Sequence, residues 1–328
     1  MTSPLPQQSV VAVVGAGAMG AGIAQVAAVA GHRVKLLDNR PDVAARAVAG
    51  IQAQLAKMAE KGRLTAADAA AAGKRLTPVH AIADLAGAGL VVEAIVEDLA
   101  EKQALFADLE GIVGRDCILC TNTSSISVTA IGAALNHPER LAGLHFFNPA
   151  PLMALVEVVS GLATDSAIAQ TLFATAAAWG KTPVHAKSTP GFIVNRVARP
   201  YYAEALRLAQ EGAADCATID AVMREAGGFR MGPFELMDMI GHDVNFVVTH
   251  SVWRAFFHDP RFLPSLLQQE LVDAGLLGRK SGRGFHDYRD GAAPPAAASE
   301  PAQPAPAKIA LFGGSTATDA LAARLAAA

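Results

Sequence analysis

The chain is short of several things. It has three cysteines in 328 residues, Cys117, Cys120 and Cys216. Cys117 and Cys120 form a Cys-Ile-Leu-Cys spacing inside an apolar run that reads as a buried strand. Positions three apart on a strand face opposite ways, which argues against a disulfide or a shared metal. Small buried hydrophobes are the expected role, and a reducing cytoplasmic setting is the default. Basic excess is also lacking: the formal net charge is −3, so nothing marks a nucleic-acid surface. Apolar runs are strand-length or broken by glycine, which argues against a membrane span. The first nine residues lack the basic flank and apolar core of a signal peptide. The nine histidines include no metal-ligand spacing on one helix face, so no metal is expected.

What is present is apolar mass, 52% of the residues, much of it alanine, with only 17% charged. That is enough for real cores, and the length favours two domains. Val10–Val14 is a β-branched run followed at once by Gly15-Ala16-Gly17-Ala18-Met19-Gly20. An alanine-rich helical stretch then reaches Gly31, and Arg33–Leu37 is a second apolar run closed by Asp38. Strand, glycine turn, helix and strand within about 30 residues make a βαβ unit that cradles a dinucleotide. The first glycine permits the tight turn, the second lets backbone approach a pyrophosphate, and the third lets helix pack on strand. Asp38 would take the ribose hydroxyls and repel a 2′-phosphate, favouring NAD over NADP.

Further strands are expected at Gly89–Ala94, Cys117–Cys120, Leu141–Phe146 and Leu155–Val159, alternating with helices. Helices are expected over Pro41–Leu64, with a charged far end at Lys57–Arg63, and over Ala100–Leu109. The pattern predicts an α/β Rossmann-type domain with a parallel sheet, covering residues 1–188. After Pro190 it turns helical, giving an all-α domain over 189–290, in which Pro200 should kink or restart a long helix. Residues 291–307 are Pro/Ala-rich and read as a linker. Residues 308–328 read as the start of a further βα unit, strand Lys308–Phe312 and then a helix. Such a piece must either dock on the main body or belong to a longer protein.

Two groups stand out chemically. Glu157 lies between β-branched residues in an apparent buried strand, where a carboxylate needs a partner. His145 ends another strand. Together they could form a base and its orienting carboxylate, or be a satisfied core histidine and a structural glutamate.

Six motifs in order resemble the L-3-hydroxyacyl-CoA dehydrogenase family. They are Val92-Glu93-Ala94-Ile95-Val96-Glu97, Asn122-Thr123-Ser124-Ser125, Gly143-Leu144-His145-Phe146-Phe147-Asn148-Pro149, Leu155-Val156-Glu157-Val158-Val159, Pro190-Gly191-Phe192-Ile193-Val194-Asn195-Arg196 and Met231-Gly232-Pro233-Phe234-Glu235-Leu236. The resemblance runs from about Val10 to Tyr288. It implies NAD-dependent oxidation of the 3-hydroxyl of an acyl-CoA, with His145 as general base, Glu157 orienting it, Ser124 on the substrate oxygen and Asn195 helping to hold His145 and the substrate carbonyl. It implies cofactor contacts at Asp38, Glu97, Lys102, Ser124, Asn148 and Lys280, in addition to the glycine loop. Lys61 matches a CoA-binding lysine, and Gln54 stands where the family has its partner serine. His286 stands where the family usually has tyrosine, and reads as a surface or packing change. The resemblance also implies a homodimer through the helical part. Two other readings remain: a sugar-acid dehydrogenase of the same fold, and a non-catalytic structural relative.

Overall fold

The computed structural model describes residues 3–301, 304, 306 and 308–327. The expected linker residues 302, 303, 305 and 307 lie outside the described residues. The chain opens with β1 (Val10–Val14), α1 (Ala18–Val29), β2 (Val34–Leu37), α2 (Val43–Glu60), α3 (Ala66–Lys74) and β3 (Leu76–Val79). It continues through β4 (Ala88–Glu93), α4 (Leu99–Ile112), β5 (Ile118–Thr121), α5 (Val128–Gly132), β6 (Leu141–Phe146), β7 (Leu155–Ser160), α6 (Ser166–Ala178) and β8 (Thr182–Lys187). The strands form one eight-stranded sheet in the order β3-β2-β1-β4-β5-β6-β7-β8. Strand order reverses between β1 and β4, and ligands bind at such a switch point, outside the carboxyl ends of the strands.

The strands are apolar on both faces because both faces are covered. Val11, Val13, Leu36 and Val92 pack into one cluster, and Ala12, Val14, Val91 and Leu119 into the other. Each fully buried valine or leucine among them contributes roughly 1.5–3 kcal/mol. Cys117 and Cys120 fall in opposite clusters, both free. Burial pushes the Cys117 thiol up to about 12. Strands β3 and β8, and helices α3 and α6, went unread in the sequence. β3 carries a proline beside a threonine (Leu-Thr-Pro-Val), and β8 is polar at half its positions (Thr-Pro-Val-His-Ala-Lys), because both are edge strands.

The expectation of a parallel sheet needs one correction. Every pairing is parallel except β6 with β7, which is antiparallel. Only eight residues, 147–154, separate these strands, too few for a helical crossover.

The remainder is helical: α7 (Val194–Gln210), α8 (Cys216–Glu225), α9 (Pro233–Ile240), α10 (His242–Ala255), α11 (Leu266–Asp273) and α12 (Thr316–Ala326). Two isolated bridges within 278–287 are the only β pairing among its described residues. Pro200 sits inside α7 without ending it. A small core of Tyr202, Leu206, Ile219, Phe234 and Met237 joins α7, α8 and α9. The strand expected at Lys308–Phe312 is absent: those residues carry no regular structure and are exposed. Among the described residues no strand pairs with them, and α12 buries none of its residues.

His286 is not a surface change. It is buried, and its Nε2 lies 2.8 Å from Oδ2 of Asp220. Asp220 also accepts the N–H groups of Phe234 and Glu235 at the start of α9. One carboxylate thus ties the segment 285–288 to two helices.

Candidate active site

The glycine loop sits at the switch point. Gly15 has φ +98°, and a Cβ there would meet the Ala94 carbonyl oxygen at 2.4 Å. A Cβ on Gly20 would lie 1.7 Å from the Gly15 oxygen. Gly15 and Gly20 are therefore required by the protein itself. A Cβ on Gly17 would meet nothing within 4 Å, because it borders open space. That is the position where a pyrophosphate needs bare backbone. A recess of about 820 Å³ runs from Gly15 and Gly17 to Asp38, Arg40 and His80. Asp38 Oδ2 accepts the Ala16 N–H at 2.9 Å, so the carboxylate also braces the loop. Hydrogen bonds from Arg40 hold the Asp38 pKa down at about 2, against the opposing effect of burial. The loop and its carboxylate fit a dinucleotide.

His145 and Glu157 face each other across the antiparallel β6–β7 pair, directly in register. Residues opposite one another in such a pair share a face. His145 Nδ1 lies 2.6 Å from Glu157 Oε2, and both are buried. An ionised carboxylate only accepts, so Nδ1 carries a proton, and the neutral imidazole then has its lone pair on Nε2. Ser124 Oγ lies 3.1 Å from that Nε2. Glu157 Oε1 accepts the N–H groups of Ile193 and Val194 at 2.9 and 3.0 Å. The first turn of α7 is thereby joined to the sheet through the carboxylate that orients His145. Burial pushes the Glu157 carboxyl up, but the bonds from His145, Val194 and Ile193 outweigh it, and the net shift is downward. Phe147 and Phe192 wall the imidazole, with ring centroids at 4.6 and 5.6 Å.

A second carboxylate organises the serine loop. Glu97 Oε1 accepts from Thr123 Oγ1 at 2.6 Å, from the Ser124 and Ser125 N–H groups at 3.1 and 3.2 Å, and from Ser125 Oγ at 3.0 Å. Burial works against its charge, while Lys102 and these donors more than compensate and lower its pKa. Lys102 is itself 1% exposed, with Nζ 2.6 Å from Glu93 and 3.4 Å from Glu97. Its ammonium is buried between Glu93 and Glu97, so it acts through those carboxylates rather than by direct contact with open space. Asn195 sits in the first turn of α7, one residue beyond the N–H groups bound to Glu157. Asn148 follows β6 and borders a second groove. Lys280 pairs with Asp243 on α10, away from the His145 cluster in its hydrogen bonding.

That second groove, about 670 Å³, shares Gly17 with the first and runs along α2. Gln54, Lys57, Lys61 and Arg63 line it, opposite Asn148 and Leu152. Lys61 and Gln54 are thus brought together, with two further cations beside them. Sequence reading missed Arg40, Thr123, Glu93 and the two α7 N–H groups. Thr123 and Glu93 lay within motifs already quoted and carried a signal. The backbone donors carried none.

A dinucleotide-fitting switch point lies beside a histidine whose Nε2 faces a serine hydroxyl and whose Nδ1 faces a carboxylate, which defines the class as a Rossmann-type dinucleotide-binding fold carrying a candidate acid–base pair. Residues 10–189 match the family model for the 3-hydroxyacyl-CoA dehydrogenase NAD binding domain, and residues 191–288 match that family's C-terminal domain. The chain belongs to the 3-hydroxyacyl-CoA dehydrogenase family. It is 56% identical over 279 residues to a 3-hydroxyadipyl-CoA dehydrogenase of Escherichia coli, covering 85% of this chain and 59% of that protein. It is 41% identical over 288 residues to the mitochondrial hydroxyacyl-coenzyme A dehydrogenase of Sus scrofa, covering 85% and 91%. Among solved structures, (S)-3-hydroxybutyryl-CoA dehydrogenase of Ralstonia eutropha superposes with TM-score 0.83 at 38% identity, covering 86% of this chain and all of that one. The chain spans about three fifths of the length of its Escherichia coli relative. No described helix is long and apolar enough to cross a membrane.

Proposed function

We propose that the chain catalyses NAD-dependent, reversible oxidation of the 3-hydroxyl of an L-3-hydroxyacyl-CoA to the 3-oxoacyl-CoA. The carrying observation is the His145–Glu157 contact at 2.6 Å, with Nε2 left toward Ser124. In the oxidation direction His145 Nε2 takes the hydroxyl proton, and Glu157 balances the charge that the imidazole gains. Ser124 donates to the substrate oxygen, and Asn195 at the head of α7 holds the carbonyl side. NAD, held by the loop 15–20, Asp38, Glu97 and Asn148, supplies the redox chemistry when bound. Lys280 is assigned to the cofactor as well, on release from Asp243. The CoA phosphates take the Lys61 end of the α2 groove, where Lys57 and Arg63 add charge, and Gln54 replaces a serine contact. The test is NADH absorbance with acetoacetyl-CoA, in wild type and in His145→Gln. Loss of turnover with NADH still bound is expected; wild-type turnover in the variant refutes the assignment.

The acyl chain we favour is 3-hydroxyadipyl, as in phenylacetate breakdown, supported by the name of the 56% identical relative. Comparing hydroxybutyryl-, hydroxyhexanoyl- and hydroxyadipyl-CoA decides it. The functional division we propose is 1–188 for cofactor, 189–290 for substrate and dimer contact, and 291–307 as linker; of the further βα unit expected over 308–328, the described residues supply the helix α12 alone. A homodimer through the helical part is supported by Val244, Val247 and Phe257, which α10 and its end leave exposed. A monomer by light scattering at micromolar concentration would overturn it. A cytoplasmic location is consistent with three free thiols.

A further inference from the structure

The carboxylate that closes β2 is not bare. Asp38 Oδ1 accepts from Arg40 N at 3.0 Å and Arg40 Nε at 2.9 Å, and Oδ2 accepts from Arg40 Nη2 at 3.1 Å and Ala16 N at 2.9 Å. A carboxylate has about four lone-pair sites, and all are taken. Ribose hydroxyls can donate to Asp38 only if the guanidinium moves. It is free to do so: the Arg40 side chain is 65% exposed, against 4% for Asp38. Among the described residues Arg40 makes no other ion pair, and both residues line the same recess.

A lone carboxylate rejects a 2′-phosphate by repulsion, and an arginine nearby accepts one through its fork. This recess holds both at a single point. The pair has no net charge, so the repulsion that Asp38 alone would exert is cancelled where the 2′-position falls. His80 lines the same end, while Glu101 and Asp108 line the α4 wall and oppose an added anion.

Resting on the dehydrogenase reading, we propose that Arg40 is a specificity residue of the dinucleotide site, one that lets the chain bind NADP(H) as well as NAD(H). With NAD, Arg40 swings off and Asp38 takes the ribose hydroxyls. With a 2′-phosphate, the guanidinium takes the phosphate oxygens and Asp38 remains braced on Ala16.

Calorimetric titration of the intact chain with adenosine 5′-monophosphate and with adenosine 2′,5′-bisphosphate tests this without turnover. Wild type should bind both, the bisphosphate no more than about tenfold more weakly. Arg40→Gln should raise the ratio of the two dissociation constants about tenfold, the size of one charge-assisted contact. Arg40→Lys keeps the charge without the fork and should fall between, and Asp38→Asn should lower the ratio. A purely structural ion pair would shift melting temperature in Arg40→Gln and leave the ratio alone. An unchanged ratio, or a wild type that binds only the monophosphate, overturns the proposal and leaves the NAD reading standing. A wild type that binds neither nucleotide overturns both.

Discussion

Replacing Glu157 with glutamine separates orientation from packing. The glutamine oxygen can still accept from Ile193 and Val194, whose N–H groups reach Glu157 Oε1 at 2.9 and 3.0 Å. The amide nitrogen then faces His145 Nδ1, at a site where the wild-type separation is 2.6 Å. An amide donates, so Nδ1 must accept and the ring proton moves to Nε2. Nε2 then has no lone pair for the substrate hydroxyl. General-base catalysis contributes about 10²–10⁴-fold, and a wrong tautomer in an analogous pair costs about 10⁴-fold. The expected outcome is a kcat lower by about 10³–10⁴-fold in either direction. Stability should fall by only about 1–3 kcal/mol, since one charge-assisted bond is weakened and the α7 contacts persist. Steady-state absorbance gives kcat, quenching of NADH fluorescence gives cofactor affinity, and thermal unfolding gives stability. Wild-type kcat in a folded Glu157→Gln enzyme would refute the tautomer argument. Parallel loss of NADH binding would show instead that the carboxylate acts by holding the two parts of the fold together.

The glycine loop gives a paired test. Gly20→Ala drives a Cβ to 1.7 Å from the Gly15 oxygen and should cost about 3 kcal/mol or prevent folding. Gly17→Ala meets no atom within 4 Å, so it should melt like wild type while NADH affinity drops. Equal melting losses would contradict the division of roles. Lys61→Ala should raise KM for the acyl-CoA about two- to fivefold, with kcat unchanged and a shallower salt dependence, as for one exposed phosphate contact. A changed kcat would place Lys61 elsewhere. For pH, the Glu157 pKa is depressed on folding. Its stabilisation is therefore full above the unfolded carboxyl value, about 4.3, and is lost as pH falls through the folded value. The melting-temperature gap between wild type and Glu157→Gln should be widest above about pH 5 and shrink toward pH 2. A gap that widens in acid would reverse the sign.

Much of the fold was legible because local patterns carried it. β1, the glycine loop, α1 and β2 were readable since β-branched residues, glycine and alanine succeed one another within one βαβ unit. The edge strands β3 and β8 were not, because half their residues face solvent and look like loop. Lys308–Phe312 failed in the opposite way: five residues of strand-like composition have no neighbouring strand to bond. Of the two readings of His286, surface or packing, tertiary structure decided for packing, against Asp220, 66 residues away and unannounced nearby in sequence.

By itself the sequence determined the glycine loop, the carboxylate at the end of β2 and the presence of His145, Glu157, Ser124 and Asn195. These are matters of residue type and short spacing. Tertiary structure decided how they act. The antiparallel turn of β7 against β6 set the register that places His145 opposite Glu157, and a parallel pairing would not have done so from eight intervening residues. Packing of α7 supplied two N–H groups that join His145 in holding the Glu157 pKa down. Burial turned Lys102 from a cofactor contact into the counter-charge of Glu93 and Glu97. The fold also left Arg40 at the surface, clasping the carboxylate that closes β2. Hydrogen bonds and dielectric depend on which groups meet, and that is settled only when the chain closes on itself.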